Sequence, residues 1–259
     1  MRLLIIFTCL CIALGAPAAQ AQAQDQPARS DLVRLLGRMH EFVPIEQDFR
    51  SLGFEGENLD LAMAQYKRMF NDPGIAGFVA DRILSAQRTE VPTALEAGGL
   101  LGPLVDRGIG HLPTRELAYF YKVEYAVFNA LPYRICGLVV KQRLSDHRLA
   151  DATAKAAARL NSPALSEYYR IQYKAARLGV TRKAVRLGPA ATARIERVIG
   201  KTVFSREGDA HAEGLMRIFS RPESATNRQA CETGRMIMQA VLTLEGEDLH
   251  DALIYFSSP

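Results

Sequence analysis

From residue 31 to the end, the sequence is dominated by one pattern, in which apolar residues recur three and four positions apart. Leu32 and Leu36 are the first such pair, and they follow a Ser30-Asp31 helix-start signal. This spacing places apolar side chains on one face of a helix, whereas the strict alternation typical of a half-buried strand is almost absent. The sequence therefore predicts an all-α fold, with a single compact domain of about ten helices over residues 31–259.

Proline and glycine mark the expected boundaries of several helices. Pro73 fits the first turn of a helix, because proline has no N–H to lose there. Gly102 precedes a proline, so a helix at this point is expected to be broken or closely packed. Pro132 indicates a kink or a junction between two central helices, and Gly179 is expected to end a long helix. These signals recur at irregular spacing, which argues against a regular helical repeat.

The N-terminal segment has the pattern of an export signal followed by a short leader. One positive charge at Arg2 precedes an apolar run from Leu3 to Leu14, and small residues with A-x-A spacing follow. The run is shorter than the roughly 20 apolar residues that a spanning helix needs. We expect residues 1–23 to be a cleaved signal peptide and residues 24–30 to be a flexible leader. The Ala-rich, Arg-rich, Trp-free composition suggests a GC-rich bacterial genome. Because of the leader, the processed chain is expected to be periplasmic or secreted and not transmembrane.

Four cysteines occur in the chain, and two of them, Cys9 and Cys11, lie within the expected signal peptide. The processed protein would keep only Cys136 and Cys231. Two thiols in an oxidising compartment tend to form a disulfide. This disulfide would close a loop of about 95 residues, which lowers the conformational freedom of the unfolded chain by about 4 to 5 kcal/mol. Two free buried thiols or a metal-binding pair are the alternatives, although no CxxC spacing supports a metal.

Sequence motifs of common catalytic and cofactor-binding sites are absent. No GxSxG, HExxH, GxGxxG or P-loop pattern occurs, so neither a cofactor nor a metal is predicted. Asp209, His211 and Glu213 stand at alternate positions and would converge on a metal only in an extended segment or a turn. A helix with Asp209 as its N-cap explains the same residues without a metal.

One stretch near the C-terminus, residues 221–241, contains a motif that suggests an enzyme. Glu223-Ser224, followed by Gly234 and by a Met-Gln pair that ends at Gln239, resembles the Glu-Ser and Gly-Leu-Met-Gln blocks of lytic transglycosylases. The resemblance implies a cell-wall-acting hydrolytic enzyme with Glu223 as its acid.

The same stretch departs from that family pattern in two respects. Arg-Met-Ile separates Gly234 from the Met-Gln pair, and only a short segment follows Gln239 to build a substrate cleft. A structural interpretation is simpler: Ser224 or Thr226 caps a helix whose apolar face carries Cys231. The sequence favours this second interpretation.

The region from Tyr168 to Lys201 is strongly basic and contains a single acid, Glu196. Its candidate surface for an anionic partner consists of Arg182, Lys183, Arg186, Arg194 and Arg197. An acidic protein or an anionic envelope surface is available to an exported chain, whereas nucleic acid is not expected there. The alternative is a solvated helix face that acids elsewhere offset, because the formal net charge is only +4 at pH 7.

Two classes of function remain on this evidence. The first is an exported helical binding or interaction protein, such as an inhibitor, an immunity-type factor, a chaperone or an envelope scaffold. The second is a wall-acting enzyme whose residues meet only in three dimensions. A cleft in which Glu223 faces other carboxylates or tyrosines would favour the enzyme, and an exposed Glu223 would favour binding. The absence of catalytic motifs favours the first class.

Overall fold

The structure is a computed structural model that describes residues 28–85 and 94–257. All regular structure in these two ranges is helical, with thirteen α-helices and two short 3₁₀ helices. The all-α prediction is confirmed. The helices outnumber the predicted ten or so because proline-bounded segments such as Val43–Ser51 and Tyr133–Val140 form short separate helices. The expected signal peptide, residues 1–23, lies outside the described residues.

The helices follow one another through short connections, and their apolar faces share one core. In chain order they are α1 Arg29–Arg38, α2 Val43–Ser51, α3 Gly56–Asn71, α4 Pro73–Ser85, α5 Ala94–Ile109, α6 Thr114–Ala130, α7 Tyr133–Val140, α8 Asp146–Ala157, α9 Ser162–Thr181, α10 Pro189–Glu207, α11 Asp209–Ser220, α12 Asn227–Val241 and α13 Gly246–Ser257. The 3₁₀ helices are Met39–Glu41 and Pro222–Ser224. Within the described ranges, no helix combines the length and the apolar character that crossing a bilayer requires.

Several helices begin where the sequence places a start signal. α4 begins at Pro73 as predicted. α9 follows Asn161, whose side chain accepts a hydrogen bond from the backbone N–H of Ala164 at 2.9 Å. α12 follows Thr226, whose side chain accepts the N–H of Gln229 while the Gln229 side chain accepts the N–H of Thr226. This reciprocal capping box satisfies two backbone donors at the start of the C-terminal helix pair.

The helix break expected at Gly102-Pro103 does not occur, α9 ends at Thr181 close to the predicted Gly179, and α5 and α9 pack backbone against backbone. α5 runs unbroken through Pro103, and α9 continues past Gly179. A Cβ atom on Gly108 would lie 1.8 Å from the carbonyl oxygen of Ala175, and one on Gly179 would lie 1.9 Å from that of Leu104. The close contact is therefore at Gly108, further along α5 than predicted. The stabilisation from this packing offsets the free energy lost with the backbone hydrogen bond that Pro103 removes from the helix.

Two helix starts also differ from their predicted positions. The N-cap of α11 is Gly208, with φ of 76°, and Asp209 is the first helical residue. Glycine adopts this backbone conformation without the steric cost that a Cβ atom would add. α1 begins at Arg29, within the expected leader, where the Arg29 guanidinium pairs with Asp81 of α4 at 2.5 Å.

A disulfide bond joins α7 to α12. Cys136 and Cys231 are bonded through their sulfur atoms, with their Cα atoms 5.1 Å apart, and both are fully buried. Beside the disulfide, a Cβ atom on Gly137 would lie 2.1 Å from the carbonyl oxygen of Asn227, so the two backbones touch. Pro132 is a junction rather than a kink, because it is the N-cap of a separate helix.

Candidate ligand cavity

A cavity of about 530 Å³ lies between α3, α5, α6, α8 and α9. Phe49 of α2 and Val139 of α7 also contribute to its lining. Cavities of about 300 to 1,000 Å³ are typical of sites for small molecules. Most of the lining side chains are apolar or aromatic, so the cavity has the character of a binding site for an apolar molecule.

The central helix α6 forms one wall of the cavity. Phe120, Glu124, Val127 and Phe128 line it, at positions that share one face of a helix. The buried surface extends beside this face, since Leu117 is inaccessible and Val123 is 6% exposed, whereas Lys122, Ala126 and Asn129 on the opposite side are exposed. α6 thus buries one broad face against the core, and Glu124 is the polar exception on the face towards the cavity.

The empty volume has a direct origin in the composition of α8. Ala150, Thr153, Ala154 and Ala157 recur at helical spacing and all line the cavity. Side chains this small do not reach the facing walls, so the space between α8 and the aromatic residues of α3 and α6 is left open. Leucine at these positions would fill the interior, as in an ordinary close-packed core.

A pair of amides crosses the cavity wall between α3 and α9. The side-chain nitrogen of Gln65 donates a hydrogen bond to the amide oxygen of Gln172 at 3.3 Å. Gln65 is only 8% exposed, and buried amides need such partners. Two helical turns of α3, including Tyr66 and Met69, continue this wall.

Glu124 and Tyr168 form the principal polar contact of the cavity. The hydroxyl of Tyr168 donates a short hydrogen bond to Oε1 of Glu124. The Tyr168 ring stacks on Phe120, with ring centroids 5.1 Å apart, and holds the hydroxyl in place. Burial raises the pKa of Glu124, and the hydrogen bond from Tyr168 opposes part of that rise. The same burial, together with the charge of Glu124, raises the pKa of Tyr168 well above its ordinary value.

Asp106 of α5 supplies a second carboxyl group to the cavity. The residue is exposed to solvent, yet neighbouring protein atoms raise the pKa of its carboxyl group to about 6 by desolvation. The negative charge of Asp106 also raises the pKa of Glu124. Asp106 has no hydrogen-bond or ion-pair partner within residues 28–85 and 94–257. One end of the apolar cavity thus carries two interacting acids and a tyrosine hydroxyl.

The basic residues predicted from the sequence lie away from this cavity. Arg182, Lys183, Arg186 and Arg197 are exposed at the end of α9, in the following connection and on α10. No ion pair involves any of these four within the part of the chain that the structure describes. The partner surface that they could form remains a prediction.

Arg194 differs from these four residues. Its guanidinium is half-buried and pairs with Asp248 and with Asp251 of α13, the latter at 2.5 Å. These two ion pairs link α10 to α13, and the two carboxylates balance the charge of Arg194. Its side chain is still 36% exposed, but its charge is paired, and its place in the basic surface stays a prediction.

The predicted catalytic acid also lies outside the cavity. Glu223 is exposed in the 3₁₀ helix before α12 and does not line the cavity. Ser224 donates a hydrogen bond to the backbone carbonyl of Arg221 at 2.8 Å, which stabilises the turn. Of the two candidate caps, Thr226 is the one that caps α12. The stretch therefore has a structural role that accounts for its polar residues.

The residues considered as metal ligands are not brought together. Asp209, His211 and Glu213 all lie on α11, where alternate positions point in different directions, and each is exposed. No group of three or more His, Cys, Asp or Glu side chains in the described ranges is arranged to hold a metal ion.

Sequence reasoning did not identify Asp106, Glu124 or Tyr168 as site residues. A signal for Glu124 was present, because it is an acid spaced four positions from Phe120 and from Phe128 on a predicted central helix. An acid at such a position must find a partner or face an internal space. No comparable signal marked Asp106, which lies between Gly102 and Gly108 of α5.

Comparison with known protein families, with curated protein sequences and with solved structures gives no match for this chain.

Proposed function

We propose that this protein is an exported, periplasmic binding protein that holds a small apolar molecule in the cavity between its helices. The observation that carries the proposal is the cavity of about 530 Å³ between α3, α5, α6, α8 and α9, lined mainly by apolar and aromatic side chains. Each Å² of apolar ligand surface that it removes from water contributes about 25 cal/mol to binding. A shaped cavity also favours a small ligand over the inhibitor, immunity-type, chaperone and scaffold roles, which act through an outer surface.

A cell-wall-acting hydrolase is the alternative function. Such an enzyme needs an acid that faces other reactive groups in a cleft open to a polar polymer. Glu223 is exposed on a short turn and does not line the cavity, and the cavity is predominantly apolar. Both observations favour binding.

Two features support an exported location. The N-terminal residues have the pattern of a cleaved signal, and the bond between Cys136 and Cys231 is typical of an oxidising compartment. We therefore propose that the processed protein is periplasmic or secreted.

A contact with an acidic protein or an anionic envelope surface is a second element of the proposal. Arg182, Lys183, Arg186 and Arg197 are exposed, and exposed cations attract such partners over a distance of about 10 Å at 0.1 M salt. Replacing Arg182, Lys183 and Arg186 by Glu should abolish salt-sensitive sedimentation with anionic phospholipid vesicles. Equal sedimentation of the reversed and the wild-type protein would leave these residues with a role in solubility only.

The cavity proposal is tested by filling the cavity. The wild-type protein should bind N-phenyl-1-naphthylamine, an uncharged apolar dye, saturably and at one site per chain. Ala154→Leu places a larger side chain in the cavity and should weaken the dye affinity by about tenfold or more, since a blocked site loses the apolar surface that it would bury.

The matched control is Ala190→Leu, which makes the same change at an exposed position of α10. It should leave the dye affinity unchanged, and thermal melting should show that both variants fold. A dye affinity that is equal in Ala154→Leu and wild type, or the absence of saturable binding to wild type, would contradict the proposal.

A further inference from the structure

The charged side chains that line the cavity are all acidic. Asp106 and Glu124 belong to the lining, whereas no lysine, arginine or histidine does so among the described residues. This imbalance is local, because the whole chain carries a formal net charge of +4 at pH 7. The cavity therefore concentrates negative charge inside a protein that is basic overall.

The two carboxyl groups leave acceptor capacity unused. Tyr168 donates to Oε1 of Glu124, and Oε2 of Glu124 has no hydrogen-bond donor within the described ranges. Asp106, on the neighbouring helix α5, likewise has no donor there. A carboxylate can accept about four hydrogen bonds, so most of the acceptor sites of this pair face the open volume.

The two acids border a largely apolar space, and no cationic side chain lies with them among the described lining residues. Glu124 loses hydration on burial, and the negative charge of Asp106 adds to this effect, so both raise the pKa of Glu124. A cation placed between them would restore the lost interactions, whereas a carboxylate would add a third negative charge. The charge pattern thus selects among apolar ligands by their polar end.

We propose that the ligand of this cavity is a small amphipathic amine, with its apolar body between α3, α6 and α8 and its protonated amino group held by Glu124 and Asp106. This inference rests on the proposed function, since it names the polar end of the molecule that the cavity holds. Tyr168 acts as a positioning residue, because its hydroxyl orients the Glu124 carboxylate towards the open volume.

The test compares three ligands of one chain length: decylamine, decanol and decanoate, each measured at pH 7.5 by displacement of the apolar dye. Decylamine should bind about tenfold or more tightly than decanol, and decanoate should bind most weakly, because a charge-assisted hydrogen bond is roughly twice as strong as a neutral one. Glu124→Gln and, separately, Asp106→Asn should each reduce the preference for decylamine over decanol by about tenfold.

Glu57→Gln is the matched control, because Glu57 is exposed on α3 outside the cavity lining. It should keep the wild-type preference. The comparison of ligands on the wild-type protein also tests the inference if either acid variant fails to fold.

The possible outcomes separate the inference from the function on which it rests. Decanol or decanoate binding as tightly as decylamine, with displacement still blocked by Ala154→Leu, would overturn the amine assignment and leave the cavity as a binding site. Binding of none of the three ligands, together with no dye binding, would overturn both. A preference for decylamine that persists in both acid variants would show that the amine is bound elsewhere, and would overturn the assignment to these residues.

Discussion

The hydroxyl of Tyr168 on α9 donates a hydrogen bond to the carboxylate of Glu124 on α6, across 44 positions of sequence. Tyr168 is 9% exposed, and its ring stacks on Phe120, one turn before Glu124. The contact joins two core helices at the wall of the cavity. It also makes the chemistry of the cavity dependent on how α6 and α9 pack.

Tyr168→Phe should destabilise the protein by about 1 to 3 kcal/mol, because it removes the donor and leaves a half-buried carboxylate without it. The pKa of Glu124 should rise further, since this hydrogen bond lowers it. Urea unfolding measures the first effect, and carboxyl chemical shifts followed against pH measure the second. The control is Tyr255→Phe, which removes a more exposed tyrosine–glutamate bond of 3.3 Å to Glu196 and should cost less than about 1 kcal/mol. Equal costs for the two variants would contradict the importance of the buried pair.

Gly108→Ala should destabilise the protein by about 3 kcal/mol or more, because overpacking that moves a backbone is among the most costly substitutions. The added Cβ atom would lie 1.8 Å from the carbonyl oxygen of Ala175, so α5 and α9 would have to separate. Gly214→Ala is the matched control, since Gly214 lies within α11 and a Cβ atom there meets nothing within 4 Å. This control should stabilise the protein by about 0.5 to 1 kcal/mol through helix propensity alone. Chemical unfolding of both variants checks the prediction, and a near-neutral Gly108→Ala would contradict the close packing.

Replacing both Cys136 and Cys231 by Ala should lower stability by about 2 to 5 kcal/mol, because the unfolded chain regains the freedom that the disulfide removes. Helix content measured by circular dichroism should stay close to that of wild type, since the other contacts between α7 and α12, such as those at Gly137, remain. Thiol counting on the unfolded, unreduced wild-type protein, after export, should find neither cysteine free. Two reactive thiols in that experiment would argue against the bond in the exported protein.

Asp106→Asn should make the protein more stable than wild type at pH 7.5 and give little difference near pH 4. The pKa of Asp106 is about 6 in the folded protein, above its ordinary value of 3.8. Between these values the folded state binds the proton that the unfolded state releases, so stability falls as pH rises through this window. The pKa of Glu124, which lines the same cavity, is also raised. The neighbouring Tyr121 and Tyr168 stay protonated throughout this pH window, because burial raises their pKa.

Asp81→Asn should change the dependence of stability on pH in the opposite direction. The hydrogen bond from Arg29 lowers the pKa of Asp81, so its contribution is present at neutral pH and is lost as pH falls through the folded pKa. Melting temperatures of both variants against pH measure the two effects. A parallel pH profile for Asp106→Asn and wild type would show that Asp106 is not buried by its neighbours.

The helical elements were largely readable from the sequence, because their causes are local. Pro73 begins α4 and Thr226 caps α12 through groups within one turn of the helix start. Local signals failed where packing overrides them. α5 runs through Pro103 because it packs closely against α9, and that contact cannot be read from either segment alone.

The cavity could not be derived from the sequence, although each wall was visible as an amphipathic helix. Ala150, Ala154 and Ala157 are ordinary helix formers, and an empty volume results only when α3, α6 and α9 face them without filling the space. Likewise, the charge of Arg194 gave no indication that α13 would bring two carboxylates to it.

By itself, the sequence determined that this chain is helical and which two cysteines remain after the expected signal, since backbone propensity, capping and residue identity act over a few positions. Only the tertiary structure decided that Asp106 and Glu124 line one cavity, that Glu223 lies outside it, and that four of the five candidate basic residues stay exposed. The physical reason is that cavities, buried charges and ion pairs depend on distances between helices remote in sequence, and a helical pattern specifies a buried face without specifying what lies opposite.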